Sequence, residues 1–327
     1  MLPNGNFVKS VLAEGGTLHP LMISPADSEG LGLCNPSVFV ENGEVWLNLR
    51  KVNYTLYHCE TVQRFNSRYG PLSYLNPEND IHLRTTNFLC KLSPSLDIER
   101  YWKIDMTLDR TPLWDFVGLE DARLVRWDGR LFATGVRRDT TTNGQGRMEL
   151  SELNVSDDGV KEIQRYRIEP PIESYCEKNW MPVLDKPYHF VKWTNPTDLV
   201  KVDLATLKAN QVRPVGIPKI GLPDLRGGSQ LIPWHGYYAG VVHECDLTKN
   251  RMGQKDATYR HRFIVYDHDL NLIKVGNPFS FMDGRVEFCC GLAEYEGNLL
   301  VSFGFQDNCA FILRVPEKMA TRVLEVA

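Results

Sequence analysis

The sequence lacks a long apolar run, an excess of positive charge and cysteines in CxxC spacing. No apolar stretch in its 327 residues approaches the length of roughly 20 residues that a membrane-spanning helix needs. The net charge is -4, whereas proteins that bind nucleic acids or anionic membranes present faces rich in Lys and Arg. These absences argue against a nucleic-acid partner and against a membrane partner.

The eight cysteines are scattered along the chain. The opening stretch, MLPNGNFVKSVLAEGG, has no long apolar segment behind a basic start, so we expect no secretory signal. Thiols without a signal indicate a reducing compartment, and we expect a cytoplasmic protein with free, buried cysteines. Paired Cys or His ligands and nucleotide-binding glycine fingerprints are absent, so we expect no metal and no cofactor.

An internal repeat is the main organising feature of the sequence. Five times the chain runs from a polar cluster into an apolar segment, a tight turn and a second apolar segment. Gly, Asn and Asp at the turns tolerate positive φ, so each copy is predicted to form an antiparallel hairpin. The copies span Asn35–Arg50, Glu120–Arg138, Lys178–Trp193, Gly227–Glu244 and Glu287–Asp307, with turns at Asn42-Gly43, Asp128-Gly129, Asp185-Lys186, His235-Gly236 and Glu296-Gly297.

Further strands follow each hairpin. Third strands are predicted to begin at Asn87, Met148, Asp198, His261 and Ala310, and fourth strands at DIERYWKI, KEIQRYRI and NLIKVGN. Repeated four-stranded units are typical of a propeller, so we predict an all-β fold, a five-bladed β-propeller with four-stranded antiparallel blades. The alternative is a β-sandwich with unrelated hairpins, which would give no reason for a polar cluster before every first strand.

The predicted propeller is a single domain over residues 1-327. The stretch 54-80, rich in Tyr, Asn and Pro, is predicted to form a loop or short hairpin over the pocket. Polar starts of the five inner strands would face a solvated channel on the axis. These starts are Asn35, Glu120-Asp121-Ala122-Arg123, Lys178-Asn179, Ser229-Gln230 and Glu287, and the ends of second strands add Arg50, Trp193, His243 and Asp307.

Such a pocket would combine carboxylates, cations and an aromatic face for a sugar ring. Cleavage of a glycosidic bond needs a carboxylic acid that protonates the leaving oxygen, and a nucleophile at the anomeric carbon. Water would require a second carboxylate as base, for which Glu287 is the candidate. Inorganic phosphate would instead require a cradle of cations. The structural alternative is that Glu120, Arg123 and Glu287 form ion pairs between blades.

The run Gly118-Leu119-Glu120-Asp121-Ala122-Arg123 resembles the Gly-x-Glu-Asp-Pro-Arg signature of glycoside hydrolase family 130. Members of that family are five-bladed propellers that act on β-mannosides as phosphorylases or hydrolases. The resemblance continues in order along nearly the whole chain. Its other segments are Asn35-Pro36-Ser37 with Arg50, Lys178, Val241-Val242-His243, Phe288-Cys289-Cys290-Gly291-Leu292 and Ser302-Phe303-Gly304-Phe305-Gln306-Asp307.

The resemblance implies an inverting enzyme whose ligands are an oligosaccharide and inorganic phosphate, the latter as a co-substrate. It places the general acid on Asp121, which would deliver its proton through a sugar hydroxyl. It gives Asp307 to mannosyl hydroxyls, while Glu120 would orient Arg123 or the substrate. Together with the axial placement, it makes the following residues candidates for binding substrate or phosphate: Arg50, Glu120, Arg123, Lys178, Asn179, Trp193, His243 and Asp307.

Two residues depart from the family pattern. Ala122 replaces the usual Pro, and Glu244 replaces Gly after His243, where a carboxylate would disfavour a bound anion. The choice between phosphorolysis and hydrolysis therefore stays open. Two alternatives are a carbohydrate-binding propeller without catalysis and a five-bladed glycosidase of the arabinan or fructan type. A homo-oligomer is compatible with the sequence.

Overall fold

A computed structural model describes residues 6–58, 72–75, 80–106, 108–249 and 255–326. This part of the chain is built from strands and three short helices, α1 (Phe7–Ala13), α2 (Pro25–Ser28) and α3 (Glu317–Leu324). The strands are β1 (Thr17–Pro20), β2 (Gly32–Glu41), β3 (Glu44–Val52), β4 (Thr55–His58), β5 (Leu72–Leu75), β6 (Leu83–Leu92), β7 (Ile98–Asp105), β8 (Phe116–Val117), β9 (Glu120–Trp127), β10 (Arg130–Arg137), β11 (Arg147–Ser156), β12 (Gly159–Arg167), β13 (Met181–Pro182), β14 (His189–Trp193), β15 (Asp198–Asp203), β16 (Lys208–Gln211), β17 (Arg226–Gly227), β18 (Ile232–Trp234), β19 (Tyr237–Lys249), β20 (Lys255–Tyr266), β21 (Leu272–Val275), β22 (Glu287–Tyr295), β23 (Asn298–Phe305) and β24 (Cys309–Val315).

The strands form five four-stranded antiparallel units. Their orders are β2-β3-β6-β7 in unit 1, β9-β10-β11-β12 in unit 2, β13-β14-β15-β16 in unit 3, β17-β19-β20-β21 in unit 4 and β22-β23-β24-β1 in unit 5. Units 1 and 2 also join edge to edge through a short parallel pairing of β7 with β12. The prediction of an all-β, antiparallel fold is confirmed. The closing strand of unit 5 was not predicted, because β1 precedes the first copy of the repeat.

Four of the five predicted hairpin turns have the expected backbone. Asn42, Asp128, His235 and Glu296 have φ of 51°, 51°, 45° and 50°, and each is followed by a glycine with positive φ. Two consecutive residues with positive φ match the twist of the flanking strands. The turn predicted at Asp185-Lys186 is wrong. There β13 and β14 are joined by a longer connection that ends at Tyr188, the residue that has positive φ.

A buried amide ties the inner strands of four units together. Gln230, directly before β18 in unit 4, is fully buried. Its Nε2 donates to Ser37 Oγ at 3.0 Å, to Val38 O at 3.1 Å and to Leu124 O at 3.2 Å. Its Oε1 accepts from Leu292 N at 3.2 Å. The Gln230 amide therefore satisfies backbone groups of the neighbouring units that would otherwise be buried unpaired. The solvated channel stays a prediction.

Apolar side chains pack between neighbouring units. One core cluster joins units 4 and 5 and also takes in Phe7 and Val11 of α1 with Met319 and Val323 of α3. Asn6 caps α1 by accepting a hydrogen bond from Lys9 N at 3.0 Å. The sequence prediction contained neither helix, because each is too short to show helical periodicity over several turns.

The excursion predicted at 54-80 contains a hairpin, since β4 pairs antiparallel with β5. Residues 59–71 and 76–79 lie outside the described residues. A position over the pocket therefore stays a prediction, as do the single-domain boundary and the cytoplasmic location. No helix in the described ranges is long and apolar enough to cross a membrane. The cysteines that the structure describes are free: Cys34, Cys90, Cys176, Cys245, Cys289, Cys290 and Cys309.

Candidate functional site

Ionisable side chains from all five units lie near one another. Arg50 lies near the end of β3, Asp121 is the second residue of β9, Lys178 precedes β13, His243 lies in β19 and Asp307 follows β23. Arg50 and Lys178 both lower the pKa of the Asp121 carboxyl and the pKa of the Asp307 carboxyl. Lys178 also lowers the pKa of His243. We call these five residues the axial cluster.

Arg50 and Asp121 form the centre of the axial cluster. Arg50 Nη1 donates to Asp121 Oδ1 at 2.8 Å, and Asn35 Nδ2 donates to the same oxygen at 2.7 Å. The remaining nitrogens of the buried guanidinium are also held, by Thr85 Oγ1 at 3.0 Å and by Tyr54 OH at 3.0 Å. The hydrogen bonds among the described residues therefore fix Asp121 Oδ1 and leave Oδ2 available to a ligand.

The backbone is unusual where polar residues enter the site. Asn35, Asp121, Asn179 and Asp307 have φ of 43°, 51°, 59° and 50°. Positive φ is uncommon outside glycine, is tolerated best by Asn and Asp, and concentrates at functional sites. The residue types at these positions therefore suit both the backbone and the polar chemistry.

Three carboxyl groups at the site have different pKa values. Burial raises the pKa of Asp121, but Arg50 and Arg123 outweigh it, so the net pKa lies below its ordinary value. Burial dominates at Asp307 and raises its pKa to about 6, although Arg50 acts against it. Burial also raises the pKa of Glu120. Without ligand, Asp121 is therefore held in its ionised form, whereas Asp307 takes up a proton at a pH only slightly below neutral.

His243 is a neutral ring. Burial lowers its pKa well below 6.5, with further lowering by His261 and Lys178. Its Nδ1 lies 3.0 Å from Gly227 O, and because a carbonyl oxygen only accepts, Nδ1 carries the proton and Nε2 has a free lone pair. The ring packs 5.3 Å from the Tyr259 ring. His243 is therefore suited to accept a hydrogen bond from a hydroxyl and does not serve as the predicted cation.

The negative charge of Glu244 is paired with the positive charge of Arg262. Arg262 Nε donates to Glu244 Oε2 at 3.0 Å, and Arg262 Nη1 donates to Gly276 O at 3.1 Å. Because successive residues of a strand point to opposite faces, Glu244 and His243 lie on opposite faces of β19. The predicted repulsion of an anion by Glu244 is therefore offset by its ion pair.

The sequence matches no model of a protein family and no curated protein. Solved structures nevertheless share its fold. The β-1,2-mannobiose phosphorylase from Listeria innocua, in complex with β-1,2-mannobiose, aligns with a TM-score of 0.54 at 12% identity, covering 95% of this chain and 94% of that chain. A mannose phosphorylase from Leishmania mexicana, in complex with phosphate ion, aligns with a TM-score of 0.53 at 12% identity, covering 96% and 93%.

A third structure belongs to work on the GH130 family of mannoside phosphorylases. That work describes glycoside hydrolases in the family that target β-1,2 mannosidic linkages in Candida mannan. The structure aligns with a TM-score of 0.53 at 11% identity, covering 88% of this chain and 85% of that chain. The chain has the fold of glycoside hydrolase family 130. The predicted resemblance to that family is thus confirmed for a distant relative, and at this identity it establishes the fold rather than residue roles.

Arg123 of the family-like signature does not have the predicted role in phosphate binding. It is fully buried. Its Nε and Nη2 donate to Gly228 O at 2.9 Å and 2.7 Å, its Nη1 donates to Asp121 O at 2.6 Å, and its Nη2 also reaches Asn179 Oδ1 at 3.4 Å. Arg123 and Asn179 therefore hold the start of β9 against the neighbouring units, and a ligand has no access to this guanidinium.

Glu120 pairs with a different arginine from the one predicted. Its Oε2 lies 3.7 Å from Arg50 Nη2, and its Oε1 is buried with no hydrogen-bond partner among the described residues. A buried oxygen without a donor is costly. Glu120 therefore lies beside Arg50 rather than Arg123, and its contact with substrate stays a prediction.

Glu287 does not belong to the axial cluster. The side chain is fully buried, and its carboxylate accepts from Phe281 N at 2.6 Å, Met282 N at 2.7 Å and Gly284 N at 2.9 Å. These bonds hold the loop before β22. The predicted role of Glu287 as catalytic base does not fit this placement, because both oxygens are engaged by backbone donors and have no exposed surface.

Trp193, the predicted aromatic face for a sugar ring, and the nearby Trp180 are placed differently from one another. Trp180 is buried in the core, and its Nε1 donates to Glu177 Oε2 at 2.9 Å, so it offers no face to a ligand. Trp193 ends β14 and is 37% exposed. Among the described contacts, none joins the Trp193 ring to the axial cluster, so its role in substrate binding stays a prediction.

Several residues at the site were missed by sequence reasoning. Tyr54 binds Arg50, Tyr259 packs on His243, Arg226 acts on the pKa of His243, and Arg138 acts on the pKa of Glu120. Only Arg138, which ends the second copy of the repeat as Arg50 ends the first, carried a sequence signal. In the described part of the chain, no group of three His, Cys, Asp or Glu is placed to hold a metal ion.

Proposed function

We propose that this protein is an inverting enzyme that cleaves β-mannosides, with inorganic phosphate as the acceptor. The observation that carries the proposal is the axial cluster, in which Arg50, Asp121 and Lys178 come from three different units of a fold shared with mannoside phosphorylases. Two of those relatives were solved with β-1,2-mannobiose and with phosphate, respectively. By analogy with these relatives, the ligands proposed for this protein are a neutral mannoside and a phosphate ion.

We also propose that the five units are the blades of a propeller. Five consecutive four-stranded units support this arrangement, as does the closure of unit 5 by the N-terminal strand β1. Gln230 adds support, since one side chain contacts the inner strands of units 1, 2 and 5 from unit 4. In a propeller the inner strands of all blades surround one axis, so a single side chain can reach several of them.

In the proposed reaction, a phosphate oxygen attacks the anomeric carbon, the bond from that carbon to the leaving oxygen breaks, and the leaving oxygen gains a proton. We assign phosphate to Arg50 and Lys178. Hydrogen bonds to Thr85, Asp121 and Tyr54 use three of the five N–H groups of Arg50 among the described residues, and Lys178 is exposed. A bound dianion would offset their charge and raise the pKa of Asp121, which is low without ligand. Asp121 could then carry a proton to a sugar hydroxyl, as the resemblance implies.

Hydrolysis is the second candidate, and the raised pKa of Asp307 favours it. Because Glu287 is engaged by its loop, Asp307 is the second carboxylate of the axial cluster that could activate water. Its pKa of about 6 suits a group that accepts a proton near neutral pH.

Product analysis separates these functions. The protein is incubated with β-1,2-mannobiose, with and without inorganic phosphate, and the products are followed by NMR. The proposal predicts α-mannose 1-phosphate only when phosphate is present, since inversion of a β-linkage gives the α-anomer. Free mannose formed at the same rate without phosphate would establish hydrolysis instead. Tight sugar binding with no product at all would indicate a carbohydrate-binding protein without catalysis.

A further inference from the structure

A groove lies between units 1 and 2, apart from the axial cluster. Its volume is about 830 Å³, within the usual range of ligand sites of about 300–1,000 Å³. Two indole rings form its apolar part, Trp46 of β3 and Trp102 of β7. Trp46 and Arg50 lie on the same strand, four residues or about 13 Å apart. The groove therefore lies beyond the reach of a group bound at Arg50.

The two indoles are arranged as a pair. Their ring centroids are 6.2 Å apart, and their planes differ by 18°. Both are half-buried and pack on the edge of the apolar cluster between units 1 and 2. Because the cluster holds the inner edges of the rings, the exposed parts form a fixed apolar wall. A pre-formed aromatic wall costs little entropy when a ligand binds.

Cations cover this wall in the absence of a ligand. Lys91 Nζ lies 5.6 Å from the Trp46 centroid, and the Arg100 guanidinium lies 4.4 Å from the Trp102 centroid. Lys91 also pairs with Glu44, and Arg100 donates to Asp157 O at 3.2 Å. Contacts of this kind are weak at exposed sites. A ring of suitable chemistry can therefore replace either side chain on the indoles.

The polar rim of the groove is balanced in charge. Lys91 and Arg100 supply two positive charges, and Glu99 and Asp157 supply two negative charges. A phosphate, a nucleotide or an acidic peptide would need an excess of cations. A neutral ligand meets no such requirement, and mixed donors and acceptors around an apolar wall match the hydroxyl edges and C–H faces of a pyranose.

We infer that this groove binds a neutral oligosaccharide, with a pyranose ring against Trp102 and its hydroxyls on Arg100 and Asp157. The choice of a sugar among neutral ligands rests on the proposed function. The groove would act as a second holding site for longer chains, since it is separate from the axial cluster. Short substrates that occupy only the axial cluster would not depend on it.

The test measures binding and turnover in the full chain. Binding of β-1,2-mannotetraose and of cellotetraose is measured by NMR titration for the unaltered protein and for Trp102→Ala, Trp102→Tyr and Asp157→Ala. Tyr237→Ala is the matched control, because it removes an exposed aromatic ring at the start of β19 in unit 4. We expect at least one tetrasaccharide to lose about tenfold in affinity in Trp102→Ala, to recover much of it in Trp102→Tyr, and to bind Tyr237→Ala unchanged. Turnover of β-1,2-mannobiose should stay the same in all four variants.

Three outcomes decide the inference. Trp102-dependent binding of either tetrasaccharide supports it. Equal affinity in Trp102→Ala and in the unaltered protein overturns it, even if mannobiose is still cleaved, and in that case the proposed function is untouched. If the protein neither binds nor cleaves any of these sugars, both the groove and the proposed function are wrong. Circular dichroism of Trp102→Tyr, which keeps an aromatic ring on the apolar cluster, separates lost binding from lost folding.

Discussion

Asp121 and Glu287 begin the inner strands of units 2 and 5, respectively, and the repeat makes them look equivalent. The structure gives them different partners. Asp121 accepts hydrogen bonds from side chains of unit 1, Arg50 and Asn35, and keeps one oxygen for a ligand. Glu287 accepts three backbone N–H groups from the loop that precedes its own strand. Position in a repeat thus makes two carboxylates look alike, but their hydrogen-bond partners decide whether they can take part in catalysis.

The largest effect is expected for Asp121→Asn. Loss of a group that passes a proton should lower kcat by about 100- to 10,000-fold, while an amide of the same size keeps the contact with Arg50. Unfolding in urea should show a change of less than about 1.5 kcal/mol in the free energy. Asp198→Asn is the matched control in unit 3, since its side chain is similarly exposed, 14% against 17%. Turnover retained in Asp121→Asn would remove the proposed mechanism.

Glu287→Gln should have the opposite effect to Asp121→Asn: it should lower stability and leave kcat nearly unchanged. Gln can turn only one acceptor toward the loop, and its NH₂ group would face a backbone donor. We expect the free energy of unfolding to fall by about 2–3 kcal/mol, measured by urea denaturation, and kcat of the folded enzyme to stay near its original value. If instead activity vanished while stability held, Glu287 would be a catalytic residue after all.

A smaller effect concerns the pH dependence of stability through Asp307. Its folded-state pKa of about 6 lies above the ordinary value of 3.8, so the folded protein holds this proton more tightly than the unfolded chain. The contribution of Asp307 to stability is therefore fully present below about pH 4 and is lost as the pH rises through about 6. Asp307→Asn should remove this pH-dependent loss of stability, which is at most about 3 kcal/mol. Urea unfolding across that range measures it, and an unchanged slope in the variant would mean that Asp307 titrates normally.

Much of the strand pattern could be predicted from the sequence, because hairpin turns and alternating apolar residues are local features. Asn42-Gly43 and Asp128-Gly129 carry their own turn geometry. The longer connection around Asp185 could not be anticipated, because Asp185 is itself typical of a turn while the residue that adopts positive φ is Tyr188. The same holds for β1, which pairs with β24 although almost the whole chain separates them.

The location of the candidate site could be predicted from the sequence, but the roles of its residues could be predicted only in part. Arg50, Asp121 and Lys178 come together because the strand ends that bear them do. The burial of Arg123 and the neutral state of His243 depend on how closely neighbouring units pack. That packing also determines that Gln230 fills the centre and that Glu287 turns to its own loop. Periodicity along one strand carries no information on such contacts.

A structure of the protein with phosphate and mannose bound tests the central claim most directly. The account predicts phosphate within hydrogen-bonding distance of Arg50 or Lys178, and the sugar ring in contact with both Asp121 and Asp307. Phosphate and sugar bound elsewhere, with Asp121 and Lys178 opening into separate cavities, would contradict it.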